Sequence, residues 1–385
     1  MATISPNTLA KYPAISDLQK RAQQRLPLVA WEYLDMGTGE EVSVSRNREG
    51  FNQVTLLPQF MKGAQTQNLE TELFGLTYAT PFGDAPVGLT GLMWPNAEKI
   101  LAKTAASYGF PYCLSTVATQ TPETIGALVG NMGWFQLYPP RKGDICDDLL
   151  IRARDSGFHT LVVTADVPMA SGRQRTARAG LRMPPSITPT FVWQAAKHPA
   201  WTIATLRGGL PRLRTVEKYA AATSIRNAAQ FVGEQFGGTL SWEYMKRVRD
   251  LWDGPIVLKG VLHPHDAERA IEIGLDGIGV SNHGGRQFDG APAAIDALPG
   301  IVEQVNGRAK IIFDSGVRTG LDIIRALALG ADFTLLGRAF MFGVAAFGKT
   351  GGAHSAEILI KELKSNMGQL GVETIDEIKQ LQPQR

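Results

Sequence analysis

Two side chains suited to acid–base chemistry lie three residues apart in the stretch from Gly279 to Gly290, which reads GVSNHGGRQFDG. His283 carries an imidazole, which can accept a proton near neutral pH. Arg286 carries a planar guanidinium, which can pair with a carboxylate through two hydrogen bonds. Glycines separate the two side chains, so the backbone can turn tightly enough for both to face one small acid. This pattern predicts a site that holds an acid and removes a proton from it.

The elements expected to position this stretch are short apolar strands that alternate with helical segments. Such alternation is typical of βα units and a parallel sheet. The predicted strands are Gly83–Leu89, Tyr112–Val117, Gly133–Tyr138, Thr160–Asp166, Pro255–Val261, Gly277–Asn282, Lys310–Asp314 and Phe333–Gly337. Eight strand–helix pairs favour a closed (β/α)8 TIM barrel of the α/β class. No Gly-x-Gly-x-x-Gly motif follows the first strand, which argues against a dinucleotide-binding fold.

Polar groups follow nearly every predicted strand, at the point where its apolar run stops. Active sites of (β/α)8 barrels lie at these carboxyl ends. The residues at the strand ends include Ser115, Gln136, Tyr138, Thr164, Asp166, Lys259, Ser281, His283, Asp314, Gly316, Gly337 and Arg338. A purely structural barrel does not need polar groups at all of these places, so we expect a single site that all eight strands surround.

Two further regions complete the predicted organisation. Residues 1–75 are predicted to form an N-terminal helical segment that packs on a barrel domain of residues 76–385. Between Asp166 and Pro255 lie nearly ninety residues, whereas a βα unit usually needs about 30. We therefore expect an insertion at about 170–240, which acts as a lid or an oligomer contact. Membrane contact through residues 190–215, which contain two tryptophans and three arginines, is the less favoured alternative.

Composition narrows the class of protein further. The 39 basic and 36 acidic residues give a net charge of +3, too balanced to indicate nucleic-acid binding. The two cysteines, Cys113 and Cys146, form neither a disulfide framework nor a metal-ligand spacing, so no metal site is expected. No signal peptide or membrane-spanning apolar run is recognisable. These observations favour a cytoplasmic protein, with attachment to the face of the inner membrane as the alternative.

Taken together, the motifs resemble those of the FMN-dependent 2-hydroxy-acid oxidising enzymes, a family that includes glycolate oxidase, lactate oxidase and mandelate dehydrogenase. The resemblance runs from about Ile15 to the C-terminal helices. The motifs that carry it are Leu26-Pro27 with Tyr33, Asn47-Arg48, APVG from Ala85, WFQLY from Trp134, TADVP from Thr164, LKG from Leu258, SNHGGRQ from Ser281, DSGVR from Asp314 and LGR from Leu336. Nine motifs in the family's order are far more specific than any one of them.

The resemblance implies a reaction, the oxidation of an (S)-2-hydroxy acid to the 2-keto acid. It assigns His283 as the general base, by either a carbanion or a hydride route, with Asp166 stabilising the imidazolium. It places the substrate between Tyr33, Tyr138, Arg173, His283 and Arg286. Lys259 would stabilise negative charge on the reduced flavin.

The cofactor implied by the resemblance is FMN. Residues that would line its ring system are Val87, Gly88, Ser115, Gln136, Thr164, Lys259 and Ser281. Those that would meet its ribityl chain and phosphate are Asp314, Gly316, Arg318, Gly337 and Arg338, after strands seven and eight, where barrels commonly bind phosphate.

The chain also departs from the glycolate oxidase pattern at two positions. Val117 stands where those relatives carry tryptophan, and Ala170 is also small. A roomier pocket is therefore expected, for a medium or bulky, even aromatic, 2-hydroxy acid such as mandelate. No haem domain is recognisable, so the expected electron acceptor is oxygen, a quinone or a separate carrier.

The resemblance further implies a homo-oligomer, a tetramer. The alternatives are a flavin barrel without net oxidation, similar to type 2 isopentenyl diphosphate isomerase, and a non-catalytic flavin-binding protein. The first predicts a diphosphate site and gives no reason for paired arginines beside His283.

Overall fold

The first part of the chain is helical, as the periodicity of its apolar residues predicts. A computed structural model describes residues 4–63, 66–181, 188–220, 231–237 and 240–384. The N-terminal helices are α1 (Pro6–Lys11), α2 (Ile15–Arg25), α3 (Leu28–Asp35) and α4 (Val42–Asn52). Pro27 divides this helical stretch into α2 and α3, because its ring cannot continue the hydrogen-bond ladder of the preceding helix. The divided helix brings the end of α3 over the barrel.

Two short strands follow that the sequence did not predict. They are β1 (Thr71–Leu73) and β2 (Leu76–Tyr78), which pair as an antiparallel hairpin. Tyr78 is buried inside the barrel, where its hydroxyl accepts a 3.0 Å hydrogen bond from the indole N–H of Trp134. The hairpin therefore covers the end of the barrel opposite the strand ends that carry the polar residues. Within residues 1–75, the helical expectation is wrong at the hairpin. Thr55 forms an isolated antiparallel bridge with Gln384.

Eight parallel strands then close into a barrel. They are β3 (Phe82–Asp84), β4 (Tyr112–Ser115), β5 (Gly133–Leu137), β6 (Thr160–Thr164), β7 (Ile256–Val261), β8 (Gly277–Val280), β9 (Lys310–Phe313) and β10 (Phe333–Leu336). Each pairs with its sequence neighbour, and β10 pairs with β3. The predicted (β/α)8 barrel is confirmed, and each predicted strand corresponds to one observed strand. The first is shorter than predicted because the chain turns away after Asp84.

Helices connect the strands and cover the outside of the barrel. They are α5 (Thr90–Met93), α6 (Ala97–Tyr108), α7 (Pro122–Val129), α8 (Gly143–Asp155), α9 (Gln174–Arg178), α10 (Pro189–Lys197), α11 (Pro199–Gly208), α12 (Trp242–Leu251), α13 (Pro264–Glu272), α14 (Ala294–Val305), α15 (Gly320–Ala328), α16 (Arg338–Phe347), α17 (Gly351–Leu370) and α18 (Ile375–Lys379). Most present an apolar face to the sheet, and together they form the main core.

The long connection between β6 and β7 contains α9, α10 and α11. Arg175 fastens its first helix to the N-terminal segment, with Glu41 at 2.9 Å, Asp35 at 3.2 Å and Glu32 as ion-pair partners. The buried indole of Trp201 donates a 3.1 Å hydrogen bond to the carbonyl of Leu92. These contacts hold the described part of the connection over the carboxyl ends of the strands. No helix in the described ranges is long and apolar enough to cross a membrane.

Candidate active site

A cavity of about 760 Å³ opens at the carboxyl ends of the barrel strands. Residues that follow β3, β4, β5, β6, β8, β9 and β10 line it, together with Lys259 of β7, the end of α3 and parts of the connection between β6 and β7. This is the place where (β/α)8 barrels carry their active sites. Most of the residues singled out in the sequence line this cavity or bond to residues that do.

The loop after β8 places His283 in the cavity by means of an unusual backbone. His283 has φ 58°, in the left-handed region, and the next two residues, Gly284 and Gly285, also have positive φ. A side chain at Gly285 would come within 2.8 Å of the backbone nitrogen of Val44, so only glycine fits there. Strain of this kind in a side-chain-bearing residue persists only where the surroundings enforce it, and it is typical of functional sites.

The surroundings that enforce this backbone include a buried pair of asparagines. Asn47 of α4 and Asn282 exchange two side-chain hydrogen bonds of 2.8 Å. The hydroxyl of Ser315 accepts hydrogen bonds from the backbone amides of Asn282 and Gly284, at 3.1 and 2.9 Å. None of Asn47, Asn282 and Ser315 was predicted as a site residue from the sequence, although all three belong to the motifs quoted above. They fix the loop that carries the imidazole.

Asp166, His283 and Tyr138 form a connected series across the cavity. Nδ1 of His283 lies 2.9 Å from Oδ1 of Asp166, and Nε2 lies 3.5 Å from the hydroxyl of Tyr138. Burial lowers the pKa of His283, against the raising effect of Asp166, so the imidazole is neutral at pH 7. Burial would raise the pKa of Asp166, but the charges of His283 and Lys259 outweigh it and lower that pKa. The arrangement is that of a neutral base with its own carboxylate partner.

Arg286 lies beside this series, and no acidic side chain in the described ranges pairs with its guanidinium. Nη2 donates to the carbonyl of Tyr33 at 3.0 Å and Nη1 to that of Met36 at 3.0 Å. Burial and the neighbouring charges of Arg173 and Arg338 lower its pKa to about 9. Arg173 also lines the cavity, where its Nε donates to Ser171 at 3.2 Å. Two guanidiniums thus lie at one cavity, and no carboxylate in the described ranges is bonded to either. Their positive charges favour binding of an anion there.

Lys259, at the carboxyl end of β7, is buried but paired. Its ammonium lies 3.1 Å from Asp314 and 3.0 Å from the hydroxyl of Ser281, which donates to Asp314 at 2.6 Å. Burial would lower the pKa of Lys259, but Asp314 and Asp166 raise it, so the lysine stays charged. The ammonium therefore presents a fixed positive charge to the floor of the cavity.

A row of polar side chains crosses three neighbouring strands beside the cavity. Gln136 accepts a 2.9 Å hydrogen bond from Ser115 and donates a 2.9 Å hydrogen bond to Thr164. Val87 and Gly88 line the cavity after β3, and the hydroxyl of Tyr33 donates to the carbonyl of Gly88 at 3.3 Å. Ser115, Gln136 and Thr164 are not among the residues that line the cavity, whereas Val87 after β3 offers it apolar contact.

The phosphate region expected after β9 and β10 contains two more guanidiniums, which are partly buried. Arg318 donates to the carbonyl of Val317 at 2.8 Å, and Arg338 to those of Gly284 and Met36 at 2.9 and 2.7 Å. Burial, together with a neighbouring arginine in each case, lowers the pKa of both to about 10. Neither forms an ion pair with a carboxylate in the described part of the chain.

The glycines of this region leave room for a ligand to approach the backbone. Gly316 has φ 91°, a conformation that disfavours any side chain, and Gly337 lines the same cavity. Unpaired, partly buried cations beside accessible glycine backbone fit the phosphate of FMN, and the cavity has room for the ring. The residues present are therefore those that this cofactor requires. Among the described residues, no group of histidine, cysteine or acidic side chains could hold a metal ion.

Apart from Ala170, the apolar wall that the long connection contributes to the cavity was not predicted from the sequence. Its members in the described ranges, all from the connection between β6 and β7, are Met169, Ala170, Leu181, Leu213, Val232 and Phe236. Only their apolar character could have indicated this role, and apolar residues of an insertion more often pack in its own small core. Val117, on the opposite side, also lines the cavity.

Fold and site together define a barrel enzyme with an anion-binding cavity and a buried base. A family model described as FMN-dependent dehydrogenase matches residues 22–384, nearly the whole chain. The chain therefore belongs to the FMN-dependent dehydrogenase family. The expected family, the FMN cofactor and the oxidoreductase class are confirmed. This assignment favours the leading expectation over the isomerase-like and non-catalytic alternatives.

The chain is similar to relatives and solved structures along almost its full length. It is 39% identical over 367 residues to L-lactate dehydrogenase of Pseudomonas aeruginosa (strain LESB58), and the alignment covers 95% of this chain and 96% of the relative. L-lactate dehydrogenase of Stenotrophomonas maltophilia (strain R551-3) is also 39% identical, with 95% and 97% covered. The crystal structure of the monotopic membrane protein (S)-mandelate dehydrogenase superposes with a TM-score of 0.91 at 32% identity, over 96% and 98% of the chains. That of mandelate oxidase gives 0.83 at 32% identity, over 97% and 98%.

Proposed function

We propose that this protein oxidises an (S)-2-hydroxy acid to the corresponding 2-keto acid. The observation that carries the proposal is the Asp166–His283–Tyr138 series beside Arg286 and Arg173, at one cavity that fits FMN. Such a substrate presents a carboxylate to hold and a hydroxyl proton or a Cα proton to remove. When bound, FMN accepts the two electrons that leave the substrate. The names of the lactate and mandelate relatives support this substrate class.

Other residues of the chain bind the substrate carboxylate and remove the proton. Arg286 and Arg173 bind the carboxylate, because their guanidiniums line the cavity without an acidic partner of their own in the described ranges. Nε2 of His283 takes the proton, since Asp166 occupies Nδ1. Tyr138 bonds the substrate at the same end of the imidazole. Its phenol stays protonated, because burial and the charge of Asp166 raise its pKa to about 12.

Tyr33 completes the substrate site on the side of α3. Its ring lies against the guanidinium of Arg286, with 5.4 Å between the guanidinium carbon and the ring centroid. The tyrosine thereby restricts the orientation of the arginine and presents its hydroxyl near Gly88. We assign it to binding of the substrate carboxylate together with Arg286.

FMN is held by two groups of residues in this proposal. The ring is bound by Val87, Gly88, Ser115, Gln136, Thr164, Ser281 and Lys259, and the ribityl phosphate by Asp314, Gly316, Arg318, Gly337 and Arg338. The ammonium of Lys259 would stabilise negative charge on the reduced ring when FMN is bound. Its ion pair with Asp314 keeps the ammonium in place.

The side chain of the substrate is proposed to be medium-sized or aromatic. Val117 and Ala170 leave space at the mouth of the cavity, and Leu181, Val232 and Phe236 give that space apolar walls. An apolar side chain gains about 25 cal/mol for each Å² it buries, so a phenyl group binds such a wall better than a methyl group does. The likeness to mandelate dehydrogenase and mandelate oxidase supports this preference.

The acceptor, location and assembly complete the proposal. We propose that electrons pass from the flavin to oxygen, a quinone or a separate carrier. We also propose a homotetramer in the cytoplasm that contacts the inner membrane through residues 190–215. The exposed side chains of Trp193 and Leu206 support this contact, as does the likeness to a monotopic membrane protein. Light scattering of the purified protein and fractionation with membranes test assembly and location.

Anaerobic flavin reduction tests the reaction directly. The purified yellow protein is mixed with lactate, mandelate, phenyllactate or longer-chain 2-hydroxy acids, and bleaching of the flavin absorbance is recorded. Fast bleaching by at least one (S)-acid, and by its (R)-enantiomer far more slowly, is the expected result. Bleaching by no acid of the panel contradicts the proposal. Readmission of air then separates the acceptors, because fast return of the colour requires reaction with oxygen.

A further inference from the structure

A second pocket lies between α2 and the junction of α10 with α11. It has a volume of about 310 Å³ and shares no lining residue with the active-site cavity. Four of its lining residues carry groups that bear or can acquire positive charge: Arg21, Arg25, Lys197 and His198. No carboxylate lines it within the described ranges. Since like charges repel, such a cluster favours an anion in the pocket.

Arg21 and Arg25 each have N–H groups that make no hydrogen bond in the described ranges. Arg25 uses only Nη1, which donates to the carbonyls of Ala345 and Ala346 at the end of α16, at 3.3 and 2.6 Å. Arg21 donates through Nε to Ala346 and through Nη1 to Tyr12, at 3.1 and 3.0 Å. A guanidinium has five N–H donors, so both retain donors for a ligand. Burial and the nearby charge of Arg21 lower the pKa of Arg25, as expected for two cations that share one anion-free site.

The other wall is the beginning of a ten-residue helix. Pro199 and Ala200 open α11, whose first amides receive no side-chain cap in the described chain. A helix N-terminus carries a partial positive charge and free amide groups, both of which attract anions. His198 precedes it, and its Nδ1 is buried without a hydrogen-bond partner in the described ranges. Guanidiniums, the amides of a helix N-terminus and an imidazole, all of which can bind an anion, therefore lie at one pocket.

We propose that this pocket binds a phosphate group. The site lies apart from the flavin cavity, so the proposal does not rest on the proposed oxidation. Its lipid source rests on the membrane contact proposed above for residues 190–215. A phosphate ester suits the pocket because it carries one or two charges and several acceptor oxygens for the guanidiniums and amides.

Exposed apolar residues on the adjoining helices and just after the second of them favour a lipid headgroup over a free phosphate as the source. They are Val192, Trp193, Ile203, Leu206 and Leu210, with Leu206 79% exposed. Apolar side chains next to a cationic pocket match the boundary between acyl chains and anionic headgroups.

The test uses the FMN-loaded full chain with two probes. One is vesicles of phosphatidylcholine with or without phosphatidylglycerol, measured by co-sedimentation. The other is glycerol phosphate in chloride buffer, measured by calorimetry. The variant is Lys197→Glu, combined in a second protein with His198→Gln. Lys197 is exposed and His198 is partly buried, whereas Arg21 and Arg25 also cap α16 and are left unchanged.

The control is Lys364→Glu, an exposed lysine on α17 that makes the same change in net charge. We expect binding to vesicles with phosphatidylglycerol, weakened roughly tenfold or more by Lys197→Glu and unchanged by the control. Binding of glycerol phosphate alone, weakened by the same variant, supports a free phosphate as the source. Binding of neither probe, equal binding to both kinds of vesicle, or equal binding by variant and control overturns the proposal.

Discussion

Oδ1 of Asp166 lies 2.9 Å from Nδ1 of His283, across 117 residues of sequence. The carboxylate holds the proton on Nδ1, which leaves Nε2 as the nitrogen with a free lone pair. Nε2 is also the nitrogen nearer to Tyr138. One contact thus decides both the tautomer and the direction in which the imidazole accepts a proton. The predictions below depend on this contact and on the cavity around it.

Replacement of the base tests its role. We expect His283→Ala to retain FMN and to lose flavin reduction by the substrate by about 10³-fold or more, because the proton then has no acceptor. Stopped-flow absorbance under anaerobic conditions measures the rate. His265→Ala, at an exposed histidine of α13, serves as the control and is expected to react as the unchanged protein does. Near-normal reduction in His283→Ala places the base elsewhere.

The carboxylate partner has a distinct signature in the pH profile. Burial lowers the pKa of His283, and the charge of Asp166 partly opposes that effect by raising it. Removal of the Asp166 carboxylate therefore lowers the pKa of His283 further. The base acts when deprotonated, so kcat/KM falls as the pH drops through this pKa. We expect Asp166→Asn to reduce kcat by roughly 10²-fold or more and to move the acid limb to lower pH. An acid limb that stays in place or moves to higher pH contradicts this coupling.

Arg286 is predicted to bind the substrate carboxylate through two N–H groups of its planar guanidinium. Arg286→Lys keeps the charge but loses bidentate pairing, at a cost of about 2 kcal/mol, or roughly 30-fold in KM. The same variant should change the much weaker reaction of a 2-hydroxy amide far less, because the amide carries no charge. Arg178→Lys, at an exposed arginine of α9, is the matched control. Equal effects on acid and amide would falsify the assignment.

The small residue at the mouth of the cavity sets the range of substrates. The side chain of Val117 lies so close to Gly88 that a Cβ added at Gly88 would lie 2.5 Å from it. A larger residue at position 117 must therefore project into the cavity. We expect Val117→Trp to lower kcat/KM for aromatic 2-hydroxy acids at least roughly tenfold relative to lactate, since overpacking is costly. Val117→Ala should leave that ratio the same or raise it, and a ratio unchanged by Val117→Trp places the specificity wall elsewhere.

The barrel could be predicted because its signals are local. Each strand is a short apolar run that ends at polar residues, and glycine or proline marks most of the helix ends. The hairpin at β1 and β2 was missed, since strands of three residues are too short to show an alternating pattern. The length of the first barrel strand was also overestimated, because the apolar run continues past Asp84 into the loop.

The site was predictable where a chemical requirement singles out a residue type, as at His283 and Lys259. The support for His283 was not, because Asn47 and Asn282 meet across 235 residues through a fold that no local pattern specifies. The apolar wall containing Val232 and Phe236 gave no signal for the same reason. Part of the insertion, including Arg182, lies outside the described residues.

Arg286 and Arg338 both donate to main-chain carbonyls at the end of α3, at Tyr33, Leu34 and Met36. Each arginine therefore joins the N-terminal helices to the cavity. By thermodynamic linkage, an anion that neutralises these guanidiniums also tightens the attachment of α3, and loosening of α3 weakens anion binding by the same factor. The first helices of the chain thus respond to cofactor occupancy. Loss of FMN should speed amide hydrogen exchange in α3 before it affects the strands of the barrel.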